Sequence, residues 1–85
     1  MIDSISTHSF RDLPFIENDA WSPGASGDYV SDCQLGRTHA QIMLDMIQDT
    51  QSPTIYGAVA RCIALAGVWT GVEVGFHHRL AEAML

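Results

Sequence analysis

The side chains of this 85-residue chain that could do chemistry gather near its carboxyl end: Glu73, His77, His78 and Glu82. Glu73 and His77 stand four residues apart, as do His78 and Glu82, so each pair can meet on a helix surface. Imidazole and carboxylate are credible ligands for zinc or another transition metal, which makes these four residues weak metal candidates. Adjacent histidines, however, project about 100° apart on a helix. The two pairs therefore diverge, and a closed site would need donors from His39, His8 or a second chain. Two surface pairs near a helix end, with no metal and no cofactor, is the favoured reading. The chain contains neither H-E-x-x-H nor C-x-x-C.

Nucleophilic catalysis has less to draw on. Cys33 and Cys62 fall on apolar helical stripes, where a cysteine behaves as a small hydrophobe. A Cys33–His39 dyad would require two side chains six residues apart on one helix to face each other, a poor angular match. There is no G-x-S-x-G, and Gly67, Gly71 and Gly75 do not spell a dinucleotide fingerprint. No catalytic residue is expected, and the chain is not read as an enzyme.

The charge balance narrows the partners. Ten acidic residues face four basic ones, all arginine, giving a net charge of −6. Such a body repels phosphate backbones and anionic lipid heads, so nucleic acid is disfavoured and a basic protein partner is favoured. Asp45 and Asp49, one turn apart, fall near the carboxyl end of a helix. A negative charge there is unfavourable by about 0.3–1 kcal/mol, a hint that this end meets a basic surface. Arg61, alone in the most apolar stretch, is expected to pair within the fold with Asp45 or Asp49.

The elements that must carry these residues are helices. Tyr29, Cys33, Gly36, Ala40, Met43 and Ile47 recur at spacings of three and four, one face of a helix spanning about 28–51. Ser26, Asp28 or Ser31 can cap its start. Ser52 and Pro53 suit the cap and first position of a second helix, about 53–67. That segment is apolar on every side, which predicts a covered, central helix. Whether it stops at Gly67 decides the architecture. Thr70-Gly71-Val72-Glu73 spells a capping box for a third helix, about 71–84. Alternatively, Gly57, Ala60, Ala64, Gly67, Gly71 and Gly75 form one small-residue stripe on a helix that runs straight through, a device for close helix approach. Each internal glycine costs about 1 kcal/mol relative to alanine, which favours the break.

Residues 1–25 lack periodicity, yet Phe10, Leu13, Phe15, Ile16 and Trp21 are too apolar for a solvating linker. They form an extended arm that either folds back over the helices or presents Phe10, Phe15 and Trp21 to a partner. A chain this short buries only about 60–65% of its unfolded surface, and its surplus of apolar residues calls for a homo-oligomer or a tight hetero-complex.

Gly57 to Phe76 has the length of a membrane span, but Arg61 and Glu73 interrupt it, so buried core is expected and no membrane. Met1-Ile2-Asp3-Ser4-Ile5 has neither the basic region nor the apolar run of a secretory leader. Two cysteines without that context read as free thiols in a reducing, cytoplasmic setting. The expectation is therefore an all-α protein: a small three-helix domain, a helical hairpin plus a third helix, at 26–85, with an irregular N-terminal arm at 1–25. Its expected role is a small acidic adaptor or inhibitor docking on a larger basic protein, with Phe10, Phe15, Trp21, Asp45 and Asp49 as contact residues. The alternatives are a helix-turn-helix-like DNA-binding regulator, whose reading helix would offer little beyond Glu73, His77, His78 and Arg79, or a metal-binding small helical protein.

Overall fold

A computed structural model describes residues 9–85. His8, one of the possible metal donors, and the amino-terminal residues before it lie outside the described part. Three helices follow the arm: α1 at Tyr29–Thr50, α2 at Thr54–Ala66 and α3 at Gly71–Ala83. The protein is all-α, with a single two-stranded hairpin, β1 at Ile16–Glu17 and β2 at Ala20–Trp21, as its only sheet among the described residues.

Local chemistry accounts for the ends. Asp28 is the cap of α1, its carboxylate accepting the Ser31 amide. Gln51 closes that helix in the left-handed conformation, φ 57°, with its amide donating to the Ile47 carbonyl. α2 stops at Gly67, also left-handed at φ 69°, a conformation that costs glycine nothing. Thr70 and Glu73 then form the capping box of α3. The break is real. The start of α2 differs from expectation: the cap position falls on Pro53, with no side-chain hydrogen bond to the helix, and the Ser52 hydroxyl turns to Thr54 Oγ1 instead.

The main packing pair is α1 with α3. Tyr29 lies against Gly71, Cys33 against Gly75, Gly36 against Val72 and Phe76, and Gln41 against Arg79, so the two helices run parallel and α2 is the return stroke. The contact is backbone on backbone. A methyl group at Gly36 would fall 1.9 Å from the Val72 carbonyl oxygen, and one at Gly75 would fall 1.9 Å from that of Cys33. The small-residue stripe thus serves close approach in α3, although the continuous helix it suggested does not form.

Such tight contact leaves the core on one side of the α1–α3 pair, and the arm fills it. Leu13, Phe15, Ile16 and Trp21 are buried together with Ala40, Met43, Val59, Cys62, Ile63, Val72 and Phe76. Phe15, Trp21 and Phe76 pack edge to face, with centroids 5.3–6.0 Å apart, an arrangement worth about 0.5–1.5 kcal/mol per pair beyond burial. The hairpin enters this site through a two-residue turn. Asn18 and Asp19 both have positive φ, 52° and 60°, the signature of a type I′ turn. This small strand pair was not foreseen.

α2 is not the covered, central helix that its composition predicts. It rests mainly on the hairpin, burying Ile55, Val59, Cys62 and Ile63, while Tyr56, Gly57, Arg61, Ala64 and Leu65 face outward. Its alanines and glycine make it apolar all round without supplying bulk that must be hidden. At the other end of the α1 stripe, Tyr29 is exposed rather than buried.

The glycine contacts lead to a paired prediction. Gly75→Ala forces the helices apart and should cost about 1–3 kcal/mol, lowering the melting temperature by roughly 5–20 °C. Gly57→Ala, with open space around it, should be neutral or stabilising by up to about 1 kcal/mol in dilute protein. Thermal melts of the two variants check both signs.

Candidate functional site

The four metal candidates do not converge: Glu73, His77 and Glu82 are occupied elsewhere, and His78 points to solvent. Glu73 is fully buried: its Oε1 accepts from the Thr70 amide and hydroxyl, and its Oε2 accepts from the Trp21 indole N–H at 2.7 Å. His77 Nδ1 donates to the Glu73 carbonyl at 2.8 Å, and its ring stacks on Trp69 at 5.1 Å. Glu82 does not pair with His78 alone on its own helix. It reaches across to Arg37 in a two-pronged ion pair of 2.8 and 2.9 Å, with Arg79 alongside at 3.6 Å. Among the described residues no group of three or more His, Cys, Asp or Glu side chains is placed to hold a metal ion.

His39, proposed as an extra ligand or dyad partner, is a core residue. Its Nε2 donates to the Pro23 carbonyl at 3.0 Å and its ring lies 4.7 Å from that of Phe15. Cys33 and Cys62 are free thiols. Cys33 is half-buried in the α1–α3 contact, and Cys62 is buried with its Sγ directed at the Asp19 carbonyl. No hydrogen bond joins a cysteine to a histidine among the described residues.

Of the expected contact residues, Phe15 and Trp21 belong to the core and Phe10 is half-buried beside it. Over residues 9–25 the arm packs on its own helices, so Phe15 and Trp21 cannot serve as surface anchors without unfolding the centre of the molecule. Asp45 and Asp49 are exposed near the end of α1, as their spacing indicated. Asp45 takes a hydrogen bond from Gln41, not from Arg61. Arg61 is itself exposed and has no ion-pair partner among the described residues, which corrects the expected pairing with Asp45 or Asp49.

At the same end of the molecule, on the other side of α1 from the aspartates, lies an apolar groove. Met43, Leu44 and Ile47 of α1, Tyr56 of α2, and Leu80 and Met84 at the end of α3 line it. The parallel arrangement brings the carboxyl ends of α1 and α3 to this same end of the molecule. Each helix end carries a partial negative charge, and no basic residue occupies the last turn of any of the three helices. Asp45 and Asp49 add two full charges. Glu82 is neutralised by Arg37 and Arg79, so the aspartates are the acids left free there. The opposite end is compensated: Asp28 caps α1, Glu73 sits at the start of α3, and Asp32, buried, accepts from the Ser26 amide and hydroxyl and the Gly27 amide at 2.7–3.0 Å.

Two of these arrangements were out of reach of sequence spacing. The capping box placed Glu73 correctly, but its second oxygen serves Trp21, 52 residues away. Asp32 is one of several acids in the sequence around the start of α1, and only the path of the Ser26–Gly27 loop makes it an anchor. The Asn18-Asp19 turn did have a local signal, two turn formers between Ile16-Glu17 and Ala20-Trp21.

No family model matches this chain, and neither does any curated protein or solved structure.

Burial alone would push the Glu73 carboxyl upward, but donation from the Thr70 hydroxyl, the Trp21 indole and the backbone amides together holds it below its ordinary value of 4.5. The Ser26 amide and hydroxyl likewise lower Asp32, and Arg37 lowers Glu82. A carboxyl depressed in the folded state contributes stability that is complete above its unfolded value and is lost as pH falls through the folded one. Melting temperature should therefore hold from neutral pH to about pH 5 and then drop as pH falls below about 4.5. Glu73→Gln should be less stable at neutral pH by about 1–3 kcal/mol and should show a shallower acid decline. Thermal melts from pH 7 to pH 3 measure both, and equal declines in the two proteins would remove Glu73 from the account.

Proposed function

We propose that this protein is a small acidic, non-enzymatic binding module, an adaptor or inhibitor that docks on a larger basic protein. The observation that carries this reading is the conjunction at one end of the bundle. Two parallel helix carboxyl ends lack basic residues, the apolar groove of Leu44, Ile47, Tyr56 and Leu80 opens between them, and Asp45 and Asp49 stand free at the same end on the outer side of α1. An apolar recess gives a partner side chain a place to be desolvated, and a surrounding field of one sign selects and steers a partner of the other. The lack of lysine and the net charge of −6 argue in the same direction and against phosphate backbones. No helix among the described residues is long and apolar enough to cross a membrane. Two free thiols fit a reducing compartment such as the cytoplasm.

Compared with the expectation from sequence, the docking residues move from the aromatic arm to the groove, while Asp45 and Asp49 keep their role. A cationic amphipathic helical peptide of alternating Leu and Lys faces is a defined probe. Its titration should perturb amide resonances of Leu44, Ile47, Tyr56 and Leu80, and the affinity should fall as salt is raised. Asp45→Lys with Asp49→Lys should weaken binding about tenfold or more. Perturbations scattered over the surface, or an affinity indifferent to both the salt and the charge reversal, would rule the groove out.

A further inference from the structure

On the side of α2 that faces the arm, Ala58, Cys62 and Ala66 recur every four residues. Side chains this small do not fill the space up to the arm, and a trough opens between the two. It consists of three adjoining recesses that share their walls. Phe10 and Ala58 line both the first and the second, and Asp19, Cys62 and Leu65 line both the second and the third. The trough thus follows the 13 residues of α2, about 20 Å of helix. That length takes about six residues of extended chain.

Two of the four arginines of the chain stand on its rims. Arg61, on the α2 side, is exposed and has no ion-pair partner among the described residues. Arg11, on the arm side, is held by Asp19, and both side chains are more than half exposed. Asp19 is the one acid in the lining, and α2 itself carries none, so two arginines against one aspartate leave one positive charge. Asp12 and Glu17 of the arm lie outside the lining. On a body of net charge −6 this is a local reversal of sign.

We propose that the trough docks an extended segment of a partner protein in which apolar and acidic side chains alternate. Its apolar side chains lie on the floor and its carboxylates meet Arg61 and Arg11. Charge selects the carboxylate. Arg61 is the unneutralised charge of the lining, and a guanidinium takes a carboxylate through two parallel hydrogen bonds, as Arg37 takes Glu82 elsewhere in this molecule. Shape selects the extended form. Successive side chains of a strand point to opposite sides, one row toward the floor of Ala58, Cys62 and Ala66 and the other toward the charged rims. Leu65, 74% exposed, and the half-buried Phe10 flank the floor and gain cover from the segment. A polyphosphate would also meet Arg61, but it brings a row of charges to an acidic body and nothing for the apolar floor. The trough shares no lining residue with the groove between α1 and α3 and takes a partner of the opposite sign.

Titration of the full chain with an end-blocked hexapeptide of alternating Leu and Glu, followed by amide resonances, tests this. Those of Ala20, Ala58, Arg61 and Leu65 should shift, those of Leu44 and Leu80 should not, and the affinity should fall as salt is raised. Arg61→Glu, at an exposed position, should weaken binding about tenfold or more while leaving the melting temperature unchanged. Asp19→Asn releases Arg11 for the ligand and keeps a residue type that accepts the positive φ of that turn. It should tighten binding about two- to fivefold. Shifts of equal size with a Leu-Lys hexapeptide or with an oligonucleotide overturn the proposal, as does a titration indifferent to both substitutions or one without shifts up to millimolar peptide. Overhauser contacts in the free protein from Ile2 or Ile5 to Ala58 or Leu65 would assign the trough to the chain's own amino end and overturn it as well.

Discussion

The backbone contact between α1 and α3 is the constraint on which the rest depends. Where Gly36 meets Val72 and Gly75 meets Cys33, no side-chain volume separates the helices, so this pair cannot hold a core between its own faces. The bulky residues are displaced to one side, and something outside the pair must complete the enclosure. Three helices of this length cannot do that alone. The arm supplies the missing wall, with Phe15 and Trp21 set against Phe76 and His39.

The buried carboxylate follows from the same geometry. Trp21 enters the core with an indole N–H that needs an acceptor, since an unpaired buried donor costs about 1–3 kcal/mol. Glu73, already committed to Thr70 by the cap of α3, offers its second oxygen at 2.7 Å. One side chain thus ends the turn after α2, starts α3 and locks the hairpin in place. The cost of burying its charge is offset by donors on both oxygens and by the amino end of the helix it caps.

Parallel helices also sort charge. Their amino ends lie together and are met by Asp28, Asp32 and Glu73, whereas their carboxyl ends lie together and meet Asp45 and Asp49. In an antiparallel pair the helix dipoles would largely cancel, but here they add. The outcome is a molecule with a compensated end, an acidic end with an apolar recess, and a flank along α2 that is largely apolar and carries the exposed Arg61. These differences between surfaces are the features on which the proposed binding role rests.

Sequence by itself determined the helices, the turn at Gly67, the capping box of α3 and the exposure of Asp45 and Asp49. All of these rest on residues within one or two turns of each other, where spacing and side-chain type settle the geometry. Tertiary structure alone decided that Phe15 and Trp21 are core, that Glu73 serves Trp21, that Glu82 serves Arg37, and that α2 shows an open face. The physical reason is that burial is a property of what lies opposite. An apolar side chain reads the same whether it is covered or bare, and a carboxylate reads the same whether its donor is three residues away or fifty. Only the parallel closure of α1 on α3, made possible by three glycines, determined which side had to be filled and which was left to water.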